Sequence, residues 1–261
     1  MAAEIEEWPG ASSGLMDGNG GRKLLFHSTE SDPDQFEAMA AYLVREGKCP
    51  TYTVSIMERR IARHFPDYMA GKALQNDPGG VQTNKSGYRC IQVELCGHAG
   101  AQDFGSDEDW DWFASEFVGP VCRENAIPIT TNVNWIAYPA SYGDNAPQRL
   151  TFTQWLNYNG ILAHQHAPEN AHGDPGLIPI RRILSVARGV QITEPKETEM
   201  DYVLQSPGRA AALLSGGALV KLTNPASVQA FINAGAKLLN NFPQEDYDRI
   251  DADIQNVRVK Q

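Results

Sequence analysis

The sequence predicts an α/β fold, a central β-sheet with helices packed on it, followed by a small C-terminal α+β module. Three observations predict it. Short apolar, β-rich runs alternate with helix-patterned stretches through residues 23–189. A charged segment, ITEPKETEMD (192–201), then breaks the pattern and reads as a linker over 192–200. Finally, the whole net charge of −10 falls in residues 1–200: residues 201–261 carry six basic and six acidic side chains, leaving 16 basic against 26 acidic before them.

Taken in order, residues 1–22 are rich in Gly, Ser, Ala and Glu and read as a flexible N-terminal arm. KLLFHST (23–29) is an apolar run suited to a buried strand, ending at His27 and two small hydroxyl residues. DPDQFEAMAAYLVREG (32–47) places Phe36, Met39, Ala40 and Leu43 at helical spacing, with Asp32 as cap, Pro33 in the first turn and Gly47 as stop. TYTVSI (51–56) is β-rich, and NDPGGVQTNKSGY (76–88) is a loop by its Gly, Asn, Pro and Ser content.

In RCIQVELCG (89–97), Ile91, Val93 and Leu95 alternate with Cys90, Gln92, Glu94 and Cys96, so on a strand Glu94 points away from the apolar layer. SDEDWDWFASEFVGPVCREN (106–125) is a long helix whose acidic first turn suits the helix dipole; its Trp110 and Trp112 read as core or helix-face residues. A short helix (151–160), a strand ending on His164 (161–164) and a glycine-stopped helix (179–189) complete the region. In the last module, DYVLQS and GALVKL are strand-like, and NPASVQAFINAGA (224–236) is a helix capped by Asn224.

The bulk numbers exclude several classes. The composition, 42% hydrophobic and 9% aromatic, supports a real core, while no run of about 18 apolar residues marks a transmembrane helix. The acidic balance and the lack of a basic stripe argue against a nucleic-acid partner. The N-terminus has no apolar h-region, so the expectation is synthesis in the cytoplasm without a secretory signal. Cys49, Cys90, Cys96 and Cys122 form no CxxC pair and read as reduced thiols.

The chemistry concentrates in AHQHAPENAHGDPG (163–176), which holds three of the six histidines within nine positions. His27 and His164 each end an apolar strand, and Asp174 lies in the loop just beyond one, where α/β sheets keep their chemistry. Two histidines and a carboxylate form a three-ligand set of the kind that holds catalytic zinc and leaves one position open. Glu94 is placed to take a proton from water, and His172 to donate to a developing oxyanion. His166 is a rival for the His164 ligand position.

LLFHSTES, GGVQTNKSGYRCIQVELCGHA and GILAHQHAPENAHGDPG together resemble three successive blocks of the zinc-dependent N-acetylmuramoyl-L-alanine amidases of type 2. That family includes phage lysozyme-like amidases and peptidoglycan recognition proteins, and the resemblance is closest to endolysins of phages infecting actinobacteria. It covers residues 22–190, and the third block is the most specific. The resemblance implies a mostly mixed central sheet, a Zn2+ cofactor on His27, His164 and Asp174, and Glu94 as the catalytic acid–base. His172 stands where the family has a lysine that steadies the oxyanion.

It further implies bacterial peptidoglycan as partner, both stem peptide and glycan strand, with release to the wall through a holin and no stable insertion in the membrane. His166 would be a second-shell or substrate-facing residue, and Thr83 and Asn84 would contact the stem peptide unless they serve only the turn. His64 is structural and His98 a loop residue. Residues 201–261 would either attach the enzyme to the wall or serve as a packing or dimerisation appendage. The alternatives are a peptidoglycan-binding protein without activity and a zinc peptidase acting within the stem peptide.

Overall fold

The computed structural model describes residues 3–189 in full and, beyond them, the backbone of four strands, Tyr202–Gln205, Ala212–Ser215, Ala218–Lys221 and Lys237–Asn240. The chain divides into two compact units, residues 1–191 and 192–261. The expected linker over 192–200 and the helix over 224–236 lie outside the described residues.

The first unit is built on one six-stranded sheet. In chain order its strands are β1 (Ile5–Glu7), β2 (Arg22–Ser28), β3 (Tyr52–Ser55), β4 (Arg60–Arg63), β5 (Arg89–Leu95) and β6 (Gly160–Ala163). Across the sheet they run β1-β4-β3-β5-β2-β6. Only the β3–β4 hairpin is antiparallel; every other neighbouring pair is parallel, so the sheet is mixed.

Period-2 alternation decides what each face carries. Leu24 and Phe26 of β2, Ile91, Val93 and Leu95 of β5, and Ile161 and Ala163 of β6 enter the main core. That core is closed by one long helical stretch and by α5 (Ile180–Ala187). The long stretch runs as α2 (Asp107–Trp112), a π-helical segment (Phe113–Val118) and α3 (Gly119–Glu124). The sequence reading of one helix over 106–125 holds for its extent, but the middle turns are π-helical. Ser106 caps it in a reciprocal capping box with Asp109. Trp110 is buried there, edge-on to Phe113, and Phe113 stacks on Phe117. Trp112 packs half-buried against the same core.

The other sheet face carries Leu25, Cys90 and Leu162, packed with Trp155 of α4 (Phe152–Asn157). α1 (Phe36–Glu46) sets Phe36 and Ala40 against Ala62 of β4. It starts three residues later than the Asp32 cap predicts, with Gln35 as its cap and Phe36 N donating to Glu58 Oε1. Gly47, at φ 64°, ends it in the left-handed conformation that glycine adopts without strain.

One reading needs correction. Residues 3–22 are not a loose arm: Ile5–Glu7 pair in parallel with Ile61–Arg63 as the sheet's edge strand. Ser13 N and Ala70 O continue the attachment at 2.8 Å. The Gly- and Ser-rich composition signalled flexibility, but long-range backbone pairing overrides it.

Beyond residue 191, a second sheet runs Lys237–Asn240, Tyr202–Gln205, Ala212–Ser215, Ala218–Lys221, with the first pair parallel and the others antiparallel. Among the described residues no helix is long and apolar enough to cross a membrane.

Candidate metal centre

Parallel pairing places the site residues in a row. In register, Glu94 of β5 lies beside His27 of β2, and Phe26 beside Ala163 of β6, so His164 follows directly at the end of the neighbouring strand. All three leave the sheet on the face away from the main core.

A loop then carries Asp174 back over the strand ends. Its return path is fixed by backbone hydrogen bonds, since Gln165 N donates to Asp174 O and Gly143 N to Ala171 O. Gly173 is required by close packing: a Cβ there would come within 2.5 Å of Ser141 Oγ, which donates to Gly173 O.

The donor atoms converge. His27 Nδ1 lies 3.0 Å from His164 Nδ1, which lies 3.1 Å from Asp174 Oδ1, while Asp174 Oδ2 is 3.8 Å from His27 Nδ1. All three residues are buried, and the ligand atoms fall within 4.8 Å of one another. Neighbouring ligands of a tetrahedral zinc with bonds of about 2.0–2.1 Å stand about 3.3 Å apart, so the spacing suits such an ion.

Hydrogen bonding assigns the lone pairs. His164 Nε2 meets Asn170 Oδ1 at 3.0 Å and must donate to it, which leaves His164 Nδ1 as a bare acceptor facing His27 Nδ1. Asn170 is itself fixed, donating to Gln75 O and Pro168 O and accepting from Gln75 N. The other His27 nitrogen, Nε2, is buried without a partner. Two ring nitrogens pointed at each other beside a carboxylate, with an orphaned buried nitrogen behind, fit a cation between them better than an internally satisfied network.

Charge follows geometry. Burial, with the neighbouring His164, pushes the His27 pKa well below the ordinary histidine value, so the ring is neutral as a ligand must be. Burial alone would raise Asp174, but the adjacent His164 and His27 rings and the Ser28 amide, which donates to Oδ2, outweigh it and lower the carboxyl below its ordinary value.

Glu94 goes the other way. Burial, then the charges of Asp174 and Glu30, push its pKa well above the carboxylate range. Its Oε1 sits 4.0 Å from His27 Nδ1 and its Oε2 has no hydrogen-bond partner. His172 is the exposed member: its side chain is 60% accessible, stacks on the His164 ring at 4.8 Å, and has Nδ1 3.8 Å from Asp174 Oδ1. Burial of part of the ring and the neighbouring His164 lower its pKa, so it is neutral at pH 7. Glu94, His164, His172 and Asp174 open together into a cleft of about 580 Å³.

Three sequence-predicted residues do not reach this cleft. His166 is fully buried and its pKa falls to about 4, chiefly through burial. Its Nδ1 accepts from Ala163 N and its Nε2 donates to Asn134 O, so neither nitrogen is free for metal or substrate.

Thr83 and Asn84 are buried as well. Asn84 accepts from Leu74 N and Gln92 Nε2 and donates to Leu74 O, while Thr83 bonds Asn76. Their role is to fold the loop, and Asn84 also holds Leu74, which lines the cleft. His64, bonded to Thr53 and to Trp8 O, is structural as its surroundings suggested, and His98 pairs with Asp103 in a loop. All four cysteines are free and buried.

Two residues that sequence reasoning passed over hold the site together. One is Asn170, inside the histidine-rich motif. The other is Arg149, whose guanidinium donates to the carbonyls of Gly143, His164, Ala167 and His172. Nothing local in the loop around Arg149 marks it; its four acceptors come from two separate segments.

No protein-family model and no curated protein sequence matches the chain. Among solved structures it is similar to the Staphylococcus aureus hydrolase AmiA in complex with its ligand, at 13% identity over 75% of this chain and 87% of that one, with a TM-score of 0.46. PlyL is 14% identical over 70% of this chain and 96% of its own, with a TM-score of 0.41. The endolysin N-acetylmuramoyl-L-alanine amidase LysCS from Clostridium intestinale URNW is 10% identical over 73% and 99%, also with a TM-score of 0.41.

Proposed function

We propose that the chain is a zinc-dependent peptidoglycan amidase that hydrolyses the amide between N-acetylmuramic acid and the L-alanine of the stem peptide. The observation that carries this reading is the convergence of His27, His164 and Asp174 beside a buried carboxyl, Glu94, in direct register with His27. The three-block motif resemblance supplies the substrate class.

The donor set of two neutral imidazoles and one carboxylate fits zinc, and bound there the ion supplies Lewis acidity and lowers the pKa of water towards neutral. The remaining steps belong to the protein. Glu94, with its pKa raised by burial, accepts a proton from the attacking water and returns it to the leaving amine nitrogen. His172 at the cleft mouth donates an N–H to the oxyanion of the tetrahedral species; being neutral, it offers a hydrogen bond rather than a full charge. Asn170 keeps the His164 lone pair on Nδ1. Arg149 holds the loop that presents His164 and His172.

On this reading the protein is an endolysin of phage type that reaches the wall after a holin opens the membrane, and residues 201–261 attach it there. The test is amine release from purified peptidoglycan, with chelator and with zinc restored. New L-alanine N-termini that vanish with chelator and return with zinc support the amidase. Cleavage at another amide, identified by mass spectrometry of the fragments, makes it a peptidase. Wall binding without amine release makes it a recognition protein.

A further inference from the structure

The cleft is not uniform in charge. Glu30, Glu94 and Asp174 line it, and so do Lys48 and Lys72. These are two of only four lysines in residues 3–189, in a region with a large excess of acidic side chains. Among the described residues, neither ammonium has a carboxylate within 4.0 Å or a hydrogen-bond partner. Arg45, Arg59, Arg60, Arg63 and Arg182 are paired with carboxylates, while Arg22, Arg149 and Arg188 are taken up by backbone carbonyls. Lys23 and Lys85 also lack such partners, but only Lys48 and Lys72 line the cleft that holds the metal ligands, and two unpaired cations there suit an anionic ligand group.

The position of Lys72 is fixed relative to the metal centre. Lys72 N donates to Cys49 O, which brings its backbone beside that of Lys48. The chain after it is held by Ala73 N to Gln92 Oε1, Leu74 N to Asn84 Oδ1 and Gln75 N to Asn170 Oδ1. Asn170 is the residue that orients His164, so one amide ties the lysine-bearing wall to a metal ligand.

We infer that Lys48 and Lys72 form a carboxylate subsite that receives the free acid groups of the leaving peptide, and so set the direction in which substrate lies. This rests on the amidase reading above. Of the two sides of the scissile amide, the peptide carries ionised carboxylates and the sugar carries no charge, so the peptide runs towards the lysines and the sugar away from them. Lysine's flexible stem and point charge suit a mobile carboxylate better than a rigid fork would.

The experiment uses the full chain and two soluble muramyl peptides, one with its peptide carboxyls free and one with them converted to carboxamides. Cleavage is followed with zinc-loaded wild type, and binding with the Glu94→Gln protein. The expected result is roughly tenfold preference for the free acid in Kd and KM, falling about threefold with each of Lys48→Gln and Lys72→Gln, and surviving in Lys48→Arg and Lys72→Arg. High salt should erase the preference. Equal handling of both ligands by wild type, or a preference that the double Lys→Gln variant keeps, overturns the subsite while leaving the amidase reading intact. Failure of wild type to cleave either ligand defeats the amidase reading separately, and the binding ratio still decides the subsite. Unchanged thermal unfolding of the variants shows that they are folded.

Discussion

His27 and Glu94 are direct neighbours across the parallel β2–β5 pair, with Nδ1 and Oε1 4.0 Å apart. One belongs to the candidate ligand set and the other is the candidate proton carrier, and the sheet itself holds their spacing. A strand register is among the most rigid devices a fold offers, because a slip by one residue would turn the whole β5 apolar row outward.

Metal should stabilise the fold measurably. Adding zinc to chelator-treated protein should raise the melting temperature, by an amount corresponding to about 2.7 kcal/mol when zinc is at 100 times its Kd. His27→Ala and Asp174→Ala should abolish that increment. Scanning calorimetry against zinc concentration checks it, and an increment that persists in both variants would place the ion elsewhere.

Glu94→Gln should cut turnover by about 10²–10⁴-fold while zinc still binds. The same substitution should stabilise the metal-free protein at pH 7. The sign follows from the raised folded-state pKa: folding favours the protonated acid, so wild type is at its best below the unfolded value near 4.5 and loses stability as pH rises towards the folded value. The glutamine variant has no such loss, so the two stability curves should meet at acid pH and separate as pH rises. Parallel curves would show that Glu94 is not strained by burial.

Asn170→Ala should weaken zinc binding by about 10–100-fold without touching a ligand, because His164 loses the acceptor that fixes its tautomer. Competition against a chromophoric chelator measures this. Asn170→Asp, which keeps the acceptor oxygen, should retain more of the affinity than the alanine variant; equal loss would point to the loop rather than the tautomer.

Lys23 gives an independent check away from the site. It is fully buried, its Nζ has no hydrogen-bond partner, and burial lowers its pKa. Lys23→Met should therefore raise the melting temperature at pH 7 by about 2–4 °C for each kcal/mol relieved. Here the folded pKa is depressed, so wild type regains stability as pH climbs towards the lysine value near 10.5, and the gap to the variant should close there. A gap independent of pH would locate the gain in packing alone.

The sequence by itself determined the elements and the candidate ligands. Period-2 alternation in residues 89–97 put Glu94 opposite the apolar row, apolar strands ended on His27 and His164, and the histidine-rich motif carried Asp174. Those signals are local: strand alternation, chain breakers and ligand types are all written within a few residues of one another.

Only the tertiary structure decided the rest. It turned His166 into the interior, where backbone groups take both its nitrogens, and it spent Thr83 and Asn84 on bonds to Asn76 and Leu74 within the loop fold. It recruited Arg149, Asn170, Lys48 and Lys72, and it drew residues 5–7 into the sheet. Most of these outcomes depend on partners beyond the local window: 23 residues for Arg149 against His172, 32 for His166 against Asn134, 56 for Ile5 of β1 against Ile61 of β4, and 95 for Asn170 against Gln75. A local pattern can state which side chain is available to bond; it carries no information about which remote carbonyl, amide or carboxylate the closed fold will set beside it.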